Sequence, residues 1–92
     1  MIKSFRDKDT QFLYSGRCPR QWNAFRSQAE RKLAQLDAAA TLDFLGAPPG
    51  NRLEKLKGDR AGQWSIRIND RWRVCFRWED TDAWDVEVVD YH

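Results

Sequence analysis

One histidine, two cysteines and three prolines are all that the 92 residues hold of these types, and each scarcity closes off a class of protein. Cys18 and Cys75 form no CxxC pair, and a lone His92 cannot complete a zinc site of the usual kind, so neither a disulfide nor a structural metal is expected. Long apolar runs, signal segments and lipidation motifs are missing too, and the expectation is a cytoplasmic protein with reduced thiols and no membrane association. Neither internal repeats nor low-complexity segments occur. The length predicts one domain over residues 1–92, burying ~60 to 65% of its unfolded surface. A pocket for a large organic cofactor is not expected in so small a chain, and no cofactor is assigned.

What is present is aromatic and charged. Hydrophobic residues make up 41% and charged residues 33%, with five Trp and five Phe, which is the composition of a globular protein with an aromatic-rich core. The net charge of +2 conceals a division along the chain. Residues 52–77 hold Arg52, Lys55, Lys57, Arg60, Arg67, Arg71, Arg73 and Arg77 against Glu54, Asp59 and Asp70, a net of +5. Residues 78–92 hold Glu79, Asp80, Asp82, Asp85, Glu87 and Asp90 with no Lys or Arg, a net of −6. A basic patch of that kind steers polyanions even when the whole protein is nearly neutral.

Met1 to Phe5 reads as a short first strand, and Asp7 or Asp9 as the N-cap of a short helix through Thr10–Tyr14 that stops at Ser15-Gly16. From Arg20 onward, Trp22, Phe25, Ala29, Leu33, Leu36 and Ala40 recur at spacings of three and four, the stripe of a helix of roughly five turns. Thr41 caps a last helical turn, and Gly46-Ala47-Pro48-Pro49-Gly50-Asn51 is the connector to the strands. Arg52–Lys57 is expected as the next strand, with a tight loop at Gly58–Gly62.

The last part of the chain carries the strongest pattern. Strands over Gln63–Ile68, Arg71–Trp78 and Ala83–His92 alternate, with turns at Asn69-Asp70 and before Ala83. One face receives Trp64, Ile66, Ile68, Trp72, Val74, Phe76 and Trp78 and is the expected core. The opposite face receives Arg67, Arg71, Arg73, Cys75 and Arg77. Such a row is either a solvated face paired across strands with Asp85 and Glu87, or a surface for phosphate, which the planar guanidinium fork matches. Helices segregated from a strand run predict an α+β domain, helices on one sheet face and the other face open.

Several blocks in order resemble the HigB toxins of the RelE/ParE superfamily, the plasmid-maintenance killer proteins of bacterial type II toxin–antitoxin pairs. They are Pro48-Pro49-Gly50-Asn51-Arg52-Leu53-Glu54, Leu56-Lys57-Gly58-Asp59-Arg60-Ala61-Gly62-Gln63-Trp64-Ser65-Ile66-Arg67, Asn69-Asp70-Arg71-Trp72-Arg73-Val74-Cys75-Phe76 and the terminal Val89-Asp90-Tyr91-His92. The resemblance implies a RelE-like fold, with an N-terminal strand and two helices packed on one face of a twisted antiparallel sheet. It implies a ribosome-dependent mRNA endonuclease that cuts the message in the A site of the 70S ribosome, contacts 16S rRNA and stops translation. It also implies a HigA-like helix-turn-helix antitoxin as partner, with DNA bound only indirectly through that antitoxin. Some HigB relatives carry His at the position of Glu54, whereas the YoeB-like toxins use Glu on the corresponding strand, so the departure here alters the acid/base assignment.

Metal-independent RNA cleavage needs a base for the 2′-OH proton, cations for the in-line phosphorane and an acid for the leaving 5′-oxygen. Arg73 is assigned the phosphate clamp, with Lys57, Arg60 and Arg67, and further along the stripe Arg71 and Arg77, as RNA-binding cations. Each of these arginines alternatively forms a surface ion pair. Glu54 is a candidate general base or a salt-bridge partner. His92 titrates near neutral pH and suits proton transfer as acid or base, or is a frayed end. Tyr91 stacks on a nucleobase and bonds a phosphate, or packs at the sheet edge. Asp90, on the opposite strand face from Tyr91, orients a cation or His92. Two rival readings stay open, a non-enzymatic ParE-like gyrase inhibitor and an RNA- or ribosome-binding module.

Overall fold

The computed structural model describes residues 1–90, so the expected roles of Tyr91 and His92 lie outside the described residues. Three α-helices precede four strands: α1 (Lys8–Tyr14), α2 (Arg26–Ala38), α3 (Leu42–Gly46), β1 (Glu54–Lys55), β2 (Gln63–Arg67), β3 (Trp72–Glu79) and β4 (Asp82–Asp90). The strands form one antiparallel sheet in the order β1-β2-β3-β4.

Asp7, not Asp9, caps α1, its carboxylate accepting the Thr10 N–H at 3.1 Å. Thr41 caps α3 as expected, accepting from the Phe44 N–H at 3.2 Å. The five-turn helix expected from Arg20 is divided. Arg20–Phe25 winds as a 3₁₀ helix, and α2 begins only at Arg26. The tighter winding eclipses positions three apart, which brings both Trp22 and Phe25 onto the sheet. At the other end α2 stops at Ala38, the chain turns extended, and Ala39 rather than Ala40 enters the core.

The core lies between α2 and the sheet. Leu33, Leu36, Leu45, Ile66, Val74, Phe76 and Val86 are all fully buried there. Trp72 closes one end of it, its ring 5.0 Å from that of Phe25 and 6.2 Å from that of Trp22. The expected aromatic face of β2 and β3 is this face, with Trp64 and Trp78 half-buried at its margin.

Two expectations about the strands need correction. The N-terminal strand is reduced to two isolated parallel bridges on the free edge of β4, Ile2 to Ala83 and Phe5 to Val86. Between them β4 carries a bulge at Asp85, whose φ of +52° breaks the ladder, and the Ser4 hydroxyl fills the gap by accepting the Asp85 N–H at 2.8 Å. The same bulge shifts the alternation, so Ala83, Val86 and Val88 enter the core and Trp84 does not join them. Finally, the strand expected over Arg52–Lys57 shrinks to Glu54–Lys55, because Arg52 takes a left-handed conformation at φ +45°.

Candidate functional site

The face without helices is organised by strand register. Glu54, Ser65, Cys75 and Glu87 lie directly opposite one another across all four strands, and Arg67 faces Arg73 in the next row. This face was expected to be open, yet at its centre Ser65 and Cys75 are fully buried and Arg73 is only 9% exposed. Long side chains from the rim close over it. Arg60, in the 3₁₀ turn Gly58–Arg60, donates to Glu87 at 2.6 Å and to Gln63 at 3.1 Å. Arg6 approaches the same Glu87 oxygen at 3.8 Å.

Arg73 is the most enclosed charge. Its Nε donates to Ser65 Oγ at 2.7 Å, and its Nη2 donates to the Arg52 carbonyl at 2.6 Å and more weakly to the Ser65 carbonyl at 3.4 Å. Glu54 Oε2 stands 3.7 Å from the same nitrogen, and the pair is unequal: the Glu54 side chain is 54% exposed and the Arg73 side chain 11%. A fixed, buried cation therefore sits beside a carboxylate that solvent or a ligand can reach. Arg73 is the second residue of β3, and the alternation that turns it to this face also turns Ser65 of β2 to it, diagonally across the pair, where the hydroxyl can accept from Nε.

The other candidate cations are distributed around that centre. Arg67 pairs with Asp70 at the turn between β2 and β3. Arg77 Nε donates to Asp85 at 2.8 Å, and its Nη1 pairs with Glu79. The hydrogen bond it donates to Asp85 is the main influence raising the pKa of Arg77 above its ordinary value. Arg71 lies just outside β3 and engages Asp90 with two nitrogens, at 2.6 and 3.3 Å, a bond that likewise raises the Arg71 pKa. Asp90 thus binds a cation, one of its two expected partners, and it lies in register with Trp72 rather than with the Arg73 row. Lys57 is exposed beside the 3₁₀ turn. Cross-strand ion pairing of the arginine stripe is real for Arg77 with Asp85, while Glu87 is taken by Arg60 instead.

Cys75, between Arg73 and Arg77, offers no nucleophile. Burial pushes its thiol up to about 11. Among the described residues no group of three His, Cys, Asp or Glu side chains is placed to hold a metal ion. No described helix is long and apolar enough to cross a membrane.

Sequence reasoning missed three participants: Ser65, the Arg52 carbonyl and Asn51. Ser65 had a signal, as the one small polar residue that alternation places on the arginine face of β2. The carbonyl had none, since a left-handed Arg is not legible from residue type. Asn51 is fully buried, with its Nδ2 donating to Gln35 and to the Leu45 carbonyl, each at 3.0 Å, and its Oδ1 accepting from Lys32. Burial lowers the Lys32 pKa, and the nearby charges of Arg31 and Arg67 lower it further.

Residues 3–92 match the HigB-like toxin family, described as the RelE-like toxin of type II toxin-antitoxin system HigB. Endoribonuclease HigB of Proteus vulgaris is 32% identical over 96 residues, covering 100% of both chains. Toxin HigB-1 of Vibrio cholerae serotype O1 is 50% identical over 50 residues, 54% of this chain and 53% of that protein, so the match spans about half of that relative's length. Among solved structures, a chain of the YoeB-YefM complex from Staphylococcus aureus superposes with a TM-score of 0.58 at 18% identity, covering 100% of this chain and 98% of that one. A heterotetrameric YoeB-YefM complex from the same organism gives 0.56 at 19% identity, with the same coverage. At such identity the likeness concerns the fold.

Proposed function

The chain belongs to the HigB-like family of RelE-like toxins of type II toxin–antitoxin systems, and from that premise we propose that it is an endoribonuclease that cleaves mRNA in the A site of translating ribosomes. The observation that carries this reading is the Arg73–Glu54 pair, a buried guanidinium fixed by β2 and the Arg52 carbonyl beside a solvent-open carboxylate. Glu54 takes the proton of a ribose 2′-OH. The freed 2′-oxygen attacks the adjacent phosphorus in line, forming a 2′,3′-cyclic phosphate as the bond to the 5′-oxygen breaks. Arg73 stabilises the charge on the phosphorane, with Arg60, Arg67 and Lys57 drawing in the flanking backbone. The leaving 5′-oxygen takes its proton from His92, and Tyr91 stacks on a neighbouring base; these two assignments rest on the resemblance of Val89-Asp90-Tyr91-His92 to the family pattern. No step calls on a metal.

A toxin of this class has an antitoxin partner, and the proposed one is a HigA-like helix-turn-helix protein, through which alone DNA is reached. The proposed location is the cytoplasm, where ribosomes and message are found. The test is cleavage of an mRNA programmed into translating ribosomes, with the same RNA free in solution and with Arg73→Ala and His92→Ala beside the unaltered protein. Cuts at A-site codons that need the ribosome and fade in both variants are expected. A message left whole by folded protein would remove the nuclease reading.

A further inference from the structure

A guanidinium withdrawn from water keeps its donors matched or it does not stay charged and buried at low cost. Arg73 meets that condition on two sides only. Nε is held by Ser65 Oγ and Nη2 by the Arg52 carbonyl, while Nη1 makes no hydrogen bond to any described residue. The planar group is therefore gripped along its Nε–Nη2 edge, and among the described residues only the Nη1 donors are left uncommitted. An arginine free to rotate would have to surrender that freedom on meeting a phosphate, whereas this one has surrendered it already.

The carbonyl half of the grip has its own support. Arg52 is left-handed at φ +45°, an uncommon conformation for a residue with a Cβ, and that conformation aims its carbonyl at Arg73. The residue before it is Asn51, which is fully buried. Asn51 is bonded to Lys32 and Gln35 of α2, to the Leu45 carbonyl of α3 and, through its own N–H, to the Pro48 carbonyl at 3.0 Å. The helical layer thus reaches through the connector and fixes one anchor of a cation on the far face of the sheet.

We propose that Ser65 and Asn51 are positioning residues that preset Arg73 for phosphate, Ser65 directly and Asn51 by fixing the Arg52 carbonyl. Neither is exposed, so neither touches RNA. The inference rests on the reading of Arg73 as the phosphate clamp.

The test is a kinetic cycle on ribosome-programmed mRNA with the full chain: unaltered, Ser65→Ala, Arg73→Ala and the double variant. Ser65→Ala is expected to lower kcat about ten- to a hundred-fold with KM nearly unchanged, and to cost nothing further once Arg73 is Ala. Asn51→Asp keeps the size and the Lys32 contact, loses the two amide donations, and is expected to behave like Ser65→Ala. Should it fail to fold, the Ser65 arm decides. A second readout needs no catalysis: the Arg73 Nε–H resonance should exchange slowly with solvent in the unaltered protein and rapidly in Ser65→Ala. Losses that simply add in the double variant, or rapid Nε–H exchange in the unaltered protein, would overturn the proposal. So would a fully active Ser65→Ala beside a crippled Arg73→Ala, an outcome that leaves the clamp standing. An Arg73→Ala variant as fast as the unaltered protein would instead bring down the clamp and this inference with it.

Discussion

Arg77 and Asp85 meet across the bulge of β4, Arg77 Nε donating to Asp85 Oδ2 at 2.8 Å while Asp85 holds φ at +52°. The two facts are linked, since the left-handed turn is what swings the carboxylate toward β3. Both side chains are about 40% exposed, so the ion pair itself contributes little, and the backbone conformation is the larger constraint. Asp85→Gly is expected to cost under about 1 kcal/mol, and Asp85→Val about 2 to 3 kcal/mol, because a β-branched residue resists that conformation. Urea midpoints for the two variants check this. Equal losses would show that the pair, and not φ, matters.

Replacing Arg73 by Lys keeps the charge and loses the fork. Lys offers one nitrogen, which cannot bond Ser65 and the Arg52 carbonyl together and still face a phosphate. Arg73→Lys is expected to lose about a hundred-fold in kcat, close to the loss for Arg73→Ala. Single-turnover cleavage on ribosomes measures it, and near-complete rescue by Lys would mean that charge alone suffices.

Cys75 links stability to alkaline pH. Its thiol is raised from an ordinary value of 9.0 to about 11 by burial, so between these values the unfolded chain has lost a proton that the native state retains. The stability that the buried neutral thiol contributes is expected to be whole below about pH 9 and to drain as pH rises toward 11. Cys75→Ala should flatten that decline relative to the unaltered protein in denaturant titrations across the window. In the same molecule Cys18 is only partly buried and should be alkylated at pH 8 before Cys75, which is fully buried and is modified only after unfolding.

Trp72 couples the helical layer to the sheet through Trp22 and Phe25. Trp72→Ala is expected to cost about 3 to 5 kcal/mol, as loss of a large aromatic from a packed site does. Thermal unfolding with retained native secondary structure at low temperature would report it; a loss below about 1 kcal/mol would place the cluster outside the cooperative core.

The parts of this fold that could be read from the chain are those in which one period runs undisturbed. The alternation from Trp64 to Trp78 named the core face and the arginine face of β2 and β3 correctly, because nothing in those strands breaks the two-residue repeat. Where the backbone departs from its period, residue type is silent. Arg52 carries a side chain common in helices and strands and is left-handed all the same; Asp tolerates that conformation better than most residues, but nothing local singles out Asp85 from the other carboxylates of β4. That is why the strand expected through Arg52 is longer than the one that forms. Arg73 is marked by its place in the arginine stripe and Glu54 by the family resemblance, whereas Asn51 reads as one more breaker residue in a connector.

The parallel bridges of Ile2 and Phe5 to β4 join segments that lie 81 residues apart in sequence. They also cover the outer edge of β4, whose backbone N–H and C=O groups would otherwise stand ready to pair with another chain. The N-terminal segment is therefore a guard against edge-to-edge association as well as a part of the sheet.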